Sequence, residues 1–239
     1  FEAQPVTTKR LPILMYHRIA PTGTPVLVNY RVTPDAFRDQ LRYLSDAGYY
    51  SISLEEWRVA RELRRPIPGK PVIITFDDGY TDFMEFAWPL LRQYGFSATV
   101  FLVSNQIGGT NQWDEYYGDV LPLLDWPDIL HLQKQGIEFG SHSANHPHLT
   151  GISLSEIVKE ASLSRKVLQE KLGKPIHSFA YPHASTDRVV QHLVGACGYL
   201  YGLTITPRRS EFNDSLLGLP RIEISGSDDL QRFIQKLQP

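Results

Sequence analysis

The sequence predicts an α/β fold in which a largely parallel sheet closes into a barrel. Short apolar runs alternate with segments of helical periodicity along most of the chain, a pattern typical of βα units. There are about seven or eight such runs, and none carries the glycine-rich fingerprint of an open dinucleotide-binding sheet. No polar linker divides the 239 residues, so we expect one domain over residues 1–239, with residues 1–10 as an N-terminal extension.

The order of the predicted elements follows from the apolar runs and from helix-end signals. Pro34 and Gly48 mark the ends of the first helix, Ser53 and Glu56 form a capping box, and Pro89 indicates a kink or a late start. Strands are predicted at residues 11–16, 49–52, 71–76, 97–103, 137–140, 178–181, 199–204 and 219–224. Helices are predicted at residues 33–48, 53–63, 82–94, 128–135, 153–172, 186–197 and 228–237.

Composition excludes several classes of protein. The formal net charge is −2, which argues against a strongly basic nucleic-acid binder. No apolar run reaches the roughly 18 residues that a membrane-spanning helix needs. The single cysteine, Cys197, excludes an internal disulfide and a cysteine-rich zinc site. Because the chain begins at Phe1 rather than Met, we interpret it as a trimmed form that has lost any targeting signal.

Two adjacent carboxylates end the third predicted strand, in Thr75-Phe76-Asp77-Asp78-Gly79. Neighbouring residues of a regular strand point to opposite faces, so both acids reach one site only where the strand is ending, as Gly79 allows. Barrel enzymes keep their chemistry at the C-terminal ends of their strands. The competing interpretation is that Asp78-Gly79 is only a turn.

Two histidines follow the strand at residues 137–140, in Ser141-His142-Ser143-Ala144-Asn145-His146. At this spacing we expect them on one side of a helical turn, from where two imidazole nitrogens can converge on one divalent ion. The competing interpretation is a surface coincidence, and His148 is interpreted as a neighbour rather than a ligand. With one carboxylate, the pair completes the three-ligand set of an open zinc-type site and leaves the other carboxylate free as a base.

Together the two segments resemble the motifs of the NodB-homology polysaccharide deacetylases, carbohydrate esterase family 4. Phe179-Ala180-Tyr181-Pro182 is similar to the third motif of that family, and Leu217-Gly218-Leu219-Pro220-Arg221-Ile222 is similar to a late strand motif of one branch. The resemblance covers essentially the whole chain. It implies a distorted (β/α)7-type barrel and a metal-dependent hydrolase that removes N-acetyl groups from an extracellular polysaccharide.

The resemblance also assigns roles around the metal. It implies Asp77 as the general base and Asp78, His142 and His146 as ligands of a divalent ion, zinc in the first place and cobalt or nickel as alternatives. Such an ion lowers the pKa of its bound water toward about 7, so a weak carboxylate base suffices.

Four further residues are expected on the substrate side of the site. Tyr181, Pro182 and His183 follow the third motif, and the backbone N–H of His183 is expected to stabilise the oxyanion. Trp113 lies in the loop at residues 104–124, whose length favours a function. Its indole can stack on a sugar ring, and the alternative is a plug at the edge of the barrel.

The sequence departs from the usual family pattern at two points. Ala180 stands where the family has an arginine that orients the base, and Arg221 is our candidate for that role, with a structural or surface arginine as the alternative. The late histidine that supplies the general acid is also missing, since the last histidine is His192. Instead Leu14-Met15-Tyr16-His17 resembles the branch that deacetylates poly-β-1,6-N-acetylglucosamine, where the acid motif is circularly permuted, which implies His17 as the acid.

The favoured substrate is therefore poly-β-1,6-N-acetylglucosamine, and the expected location is secreted or at the cell surface. Chitin, peptidoglycan and acetylated xylan stay open as substrates, because the motifs are shared among their deacetylases. A non-catalytic carbohydrate-binding relative is a second class. A magnesium phosphotransferase using the Asp pair is a third, but two histidines suit zinc-like ions better and no phosphate-binding loop is present.

Overall fold

A parallel sheet occupies the centre of the computed structural model, which describes residues 7–8, 10–118 and 120–238. Residues 1–6 and 9 of the expected N-terminal extension lie outside the described residues. The strands of the sheet are β1 Ile13–Tyr16, β2 Tyr49–Ser51, β3 Lys70–Phe76, β4 Thr99–Leu102, β5 Glu138–Ser141, β6 Ser178–Ala180, β7 Tyr201–Leu203 and β8 Ile222–Glu223.

The sheet has the order β7-β6-β5-β4-β3-β1-β8, with β2 paired to the start of β3. Its two edges are joined by one short segment before and including β8. Leu219 bridges Leu203 of β7, and its N–H donates to the carbonyl of Gly202 at 2.8 Å. Three residues later Ile222 pairs with Leu14 of β1. This segment closes the sheet, and the predicted distorted (β/α)7-type barrel is confirmed.

Seven α-helices surround the described part of the sheet. A side-chain oxygen caps the N-terminus of most of them, which contributes about 1 kcal/mol per cap. The predicted capping box at Ser53 and Glu56 is present. The helices are α1 Pro34–Asp46, α2 Leu54–Glu62, α3 Trp88–Tyr94, α4 Trp126–Lys134, α5 Leu154–Leu172, α6 Arg188–Ala196 and α7 Leu230–Lys236.

The predicted helix at residues 82–94 is divided. A π-helical turn over Phe83–Ala87 precedes α3, which begins at Trp88 with Pro89 in its first turn. Proline has no N–H and its ring clashes with the carbonyl four residues earlier, so the regular α-helical hydrogen-bond pattern cannot continue through Pro89. The late start is therefore the correct alternative.

Alternation along the strands separates two hydrophobic clusters. Outward side chains such as Leu14 and Ile74 pack against the helices in the larger cluster. Ile13, Ile73 and Phe101 belong to a smaller cluster together with residues of β6, β7 and the closing segment. We therefore place this smaller cluster inside the barrel, where the inward faces of all strands meet. Among the described residues, no helix has the length and hydropathy of a membrane span.

Candidate metal and active site

A cavity of about 790 Å³ lies at the carboxyl ends of the strands. This is the edge at which barrel enzymes place their chemistry, because loops from all parallel strands meet there. The structure brings most of the predicted site residues to this one cavity. Its lining includes His17, Asp77, Asp78, Trp113, His142, His146, Tyr181 and His183.

Arg221 and Asp77 form a buried ion pair behind the cavity. Nη1 and Nη2 of Arg221 donate to the two carboxylate oxygens of Asp77, both at 2.7 Å. Nη1 also donates to Oγ1 of Thr75 at 3.2 Å, and Nε donates to the carbonyl of Thr204 at 3.3 Å. Arg221 has 0% relative exposure, so it is not the surface arginine of the alternative interpretation. It occupies the position from which it can orient the carboxylate.

This pairing contributes to the charge of Asp77. Burial raises the pKa of the Asp77 carboxyl, but the guanidinium of Arg221, together with His142 and His17, more than offsets this, so the pKa lies below its ordinary value. Asp77 is therefore ionised at neutral pH and is able to accept a proton.

Asp78, His142 and His146 converge on one point. Oδ1 of Asp78 lies 3.4 Å from Nε2 of His142 and 3.3 Å from Nε2 of His146. Ligands about 2.0–2.1 Å from a tetrahedral zinc ion lie about 3.3–3.4 Å apart, so these two separations match. Within the described chain Oδ1 of Asp78 is buried and accepts no hydrogen bond, an arrangement that a cation would satisfy. The residues therefore fit a divalent metal ion.

His142 is prepared to act as a neutral ligand. Its Nδ1 lies 2.8 Å from the carbonyl oxygen of Ala180. Because a carbonyl only accepts, Nδ1 carries the proton and the lone pair of Nε2 faces Asp78. Burial lowers the pKa of His142 to about 4, so the ring is uncharged at neutral pH.

The prediction of a helical turn between the two histidines is wrong. Ser143 and His146 have φ values of +64° and +63°, which a right-handed helix does not allow. The side-chain oxygen of Ser143 accepts the N–H of His146 at 2.9 Å, which closes a loop instead. The two imidazoles meet because this loop bends back, not because they share one face of a helix.

Asp78 also has a left-handed backbone, with φ of +71°, and Gly79 follows at +79°. β3 ends at Phe76, and the chain therefore turns away from the strand direction at Asp78, one residue before the predicted glycine. This turn lets two consecutive carboxylates face one cavity.

His17 enters the cavity from the end of β1. The ring of Tyr30 contacts it edge-on, with the two ring centroids 5.0 Å apart. His17 directly follows β1 and Asp77 directly follows β3, and because these two strands are paired, both residues line the same cavity.

The expected substrate-side residues take different positions. Trp113 is half-buried and stacks on His146, with ring centroids 4.3 Å apart. His183 stacks on His148, with ring centroids 3.9 Å apart, and partial loss of hydration together with the neighbouring histidines lowers the pKa of His183 to about 4. Tyr181 is buried and donates its hydroxyl to a backbone carbonyl at 2.8 Å. Pro182 is also buried.

Sequence reasoning missed several residues that line the cavity. Tyr80 donates its hydroxyl to Asp114 at 3.1 Å, and both are close in sequence to segments already singled out. Tyr30 and Glu223 also line the cavity. Glu223 directly follows the late motif at Leu217–Ile222, whereas Tyr30 comes from a segment without any motif, and only the fold brings it to the site.

Comparison with known proteins agrees with this geometry. A family model described as polysaccharide deacetylase matches residues 64–202. The chain belongs to the polysaccharide deacetylase family. This membership confirms the deacetylase class that the sequence predicts, and the Asp-His-His arrangement suits a metal-dependent member.

Three relatives of this deacetylase are informative. YxkH of Bacillus subtilis (strain 168) is 27% identical over 216 residues, which cover 90% of this chain and 72% of YxkH. The poly-β-1,6-N-acetyl-D-glucosamine N-deacetylase of Staphylococcus aureus (strain MSSA476) is 24% identical over 217 residues, 87% of this chain and 72% of the relative. The structure of the Streptococcus pyogenes deacetylase PplD in complex with acetate has a TM-score of 0.84 and 28% identity, and the match covers 99% of this chain and 100% of PplD.

The buried ion pair predicts a non-additive pair of mutations. Arg221→Met leaves Asp77 buried without a cation, so we expect the free energy of unfolding to fall by about 3–5 kcal/mol. Adding Asp77→Asn removes the unpaired buried carboxylate and should restore part of the lost free energy of unfolding. Urea unfolding of the metal-free protein at pH 7 measures both.

Arg208 provides the matched control, because it also forms a two-bond pair, with Asp214, but is 47% exposed. Arg208→Met should cost only about 0–1 kcal/mol. A double Arg221→Met, Asp77→Asn variant that is less stable than Arg221→Met alone would contradict the pairing.

Proposed function

We propose that this deacetylase removes N-acetyl groups from poly-β-1,6-N-acetyl-D-glucosamine outside the cell, either secreted or held at the surface. The observation that carries the proposal is the Asp77 carboxylate, held ionised by Arg221 in the cavity that also contains the Asp-His-His ligand set. The Staphylococcus aureus relative, a poly-β-1,6-N-acetyl-D-glucosamine N-deacetylase, and the position of His17 after β1 support this polymer.

Asp78, His142 and His146 would hold the divalent ion, for which we propose zinc, with cobalt or nickel as alternatives. Such an ion, when bound, makes water nucleophilic at neutral pH and polarises a carbonyl oxygen. Asp77 takes the proton from the attacking water, and Arg221 keeps its carboxylate in place. A base locked by two hydrogen bonds loses little entropy when the reaction begins.

His17 acts from the neighbouring strand as the general acid. It donates a proton to the amide nitrogen as the carbon–nitrogen bond breaks, so that acetate and a free amine leave. The backbone N–H of His183 stabilises the oxygen that becomes negatively charged on the acetamide carbon. Base and acid thus come from β3 and β1, two paired strands.

Aromatic side chains around the cavity suit a sugar polymer. Trp113 and Tyr30 line it, and Tyr116 and Tyr117 lie at its rim with 88% and 62% relative exposure. Sugar rings stack their apolar faces on aromatic side chains, so these exposed tyrosines can bind the polymer.

Acetate release tests the reaction and the polymer together. We expect chelator-treated protein to release acetate from β-1,6-linked N-acetylglucosamine oligomers only after zinc, cobalt or nickel is added. The same protein should act much more slowly on β-1,4-linked chitin oligomers. Equal or faster release from chitin oligomers would overturn the proposed polymer, and release without metal would overturn the metal-dependent mechanism.

His17→Asn tests the general acid. We expect acetate release to fall by about 10²–10⁴-fold, because the amine must then leave without a proton. Zinc binding and thermal unfolding should stay close to those of the unaltered protein. His192→Asn, at an exposed position of α6, is the matched control and should keep full activity. Full activity in His17→Asn would remove His17 from the mechanism.

A further inference from the structure

The loop between the two ligand histidines is held from both sides. Left-handed backbone at Ser143 and His146 costs about 1–2 kcal/mol per residue, so the loop needs partners that fix this conformation. On one side its carbonyls accept from the turn after β4. The N–H of Ser104 donates to Ser143 at 3.1 Å, and that of Asn105 donates to Ala144 at 3.0 Å.

On the other side the loop meets Glu160, in the second turn of α5. Oε2 of Glu160 accepts the backbone N–H of Ala144 at 2.9 Å and that of Asn145 at 2.8 Å. Oε1 accepts the side-chain amide of Asn145 at 2.6 Å. The oxygen of the same amide accepts from Asn105 at 2.9 Å, which links α5, the loop and the β4 turn in one chain of hydrogen bonds.

The contact is selective for a carboxylate. All three groups that face Glu160 are N–H donors, so the acceptor must offer lone pairs at both oxygens. Hydrogen bonds to an ionised acceptor are about twice as strong as neutral ones. A glutamine has the same shape, but its amide presents N–H donors to one side and would meet the amide of Asn145 donor to donor.

We propose that Glu160 is a positioning residue of the metal site, which sets metal affinity by fixing the loop that carries His146 against His142. This inference rests on the proposed metal site. Glu160 touches neither the ligand atoms nor the cavity, and it acts only through the loop backbone. Outer contacts that orient metal ligands are worth about 10–100-fold in metal affinity.

Glu160→Gln tests the proposal by metal binding rather than by activity. We expect the zinc dissociation constant, measured by competition with a chromophoric chelator, to rise by about 10–100-fold. The visible spectrum of the cobalt-loaded protein should shift, because the relative orientation of the two imidazoles changes. A residue that only stabilises the fold would lower the unfolding temperature without changing either readout.

A compensating change makes the test specific. Asn145→Asp in the Glu160→Gln background places an acceptor where the glutamine amide donates, and it can still accept from Asn105. We expect the double variant to recover most of the zinc affinity. Glu170→Gln is the matched control, since it removes an exposed carboxylate from the same helix, and its zinc affinity should be unchanged.

Three results would overturn the proposal or its basis. Unchanged zinc affinity in Glu160→Gln, or a double variant that binds no better than the single one, would remove the positioning role. Absence of zinc binding by the unaltered protein would overturn the metal site as well. Weakened zinc binding by Glu160→Gln, combined with no acetate release from β-1,6-linked oligomers by the unaltered zinc-loaded protein, would leave this proposal intact and reject the proposed substrate.

Discussion

Asp77 and Asp78 are consecutive, and both carboxylates are almost completely withdrawn from solvent, with 2% and 5% relative exposure. Two ionised carboxylates buried side by side repel each other and lose their hydration, so each needs a cation of its own. The structure provides different solutions for the two. Arg221 pairs with Asp77 through two hydrogen bonds, whereas Asp78 faces the imidazoles of His142 and His146 and retains an oxygen that accepts no hydrogen bond. We therefore propose Asp77 as the base and Asp78 as the metal ligand.

Closure of the barrel brings Arg221 next to Asp77 and so allows the two carboxylates to have different partners. Alternation along β3 turns Thr75 and Asp77 toward one side, and the segment that joins the two sheet edges carries Leu219 and Arg221 in the same alternation. The guanidinium of Arg221 also lies over the ring of Phe101, 5.6 Å from its centroid. The arginine therefore covers the apolar interior and presents its charge to the carboxyl ends of the strands. We therefore expect the stability of the fold and the proposed positioning of the Asp77 base to depend on the same side chain.

Sequence alone predicts the parts of the site that are local. The strand ends, the paired acids and the spacing of His142 and His146 are visible as short motifs, and alternation with helical segments predicts the barrel. The conformation of the loop between the histidines is not predictable in this way, because it is imposed by Glu160 of α5 and by the turn after β4. Tyr30 reaches the cavity through the packing of distant segments, so no local pattern marks it. Arg221 lies between these cases: a motif points to it, and only barrel closure brings it to Asp77.

Isothermal titration calorimetry of zinc binding to the metal-free protein tests most directly whether Asp78 is the metal ligand and Asp77 the base. Asp77→Asn and Asp78→Asn are isosteric changes at adjacent positions, so each serves as the control for the other. We expect the unaltered protein and Asp77→Asn each to bind one zinc ion per chain, and Asp78→Asn to lose this binding. Zinc binding by Asp78→Asn as tight as that of the unaltered protein, or its loss in folded Asp77→Asn, would contradict the assignment of Asp78 as the ligand and Asp77 as the base.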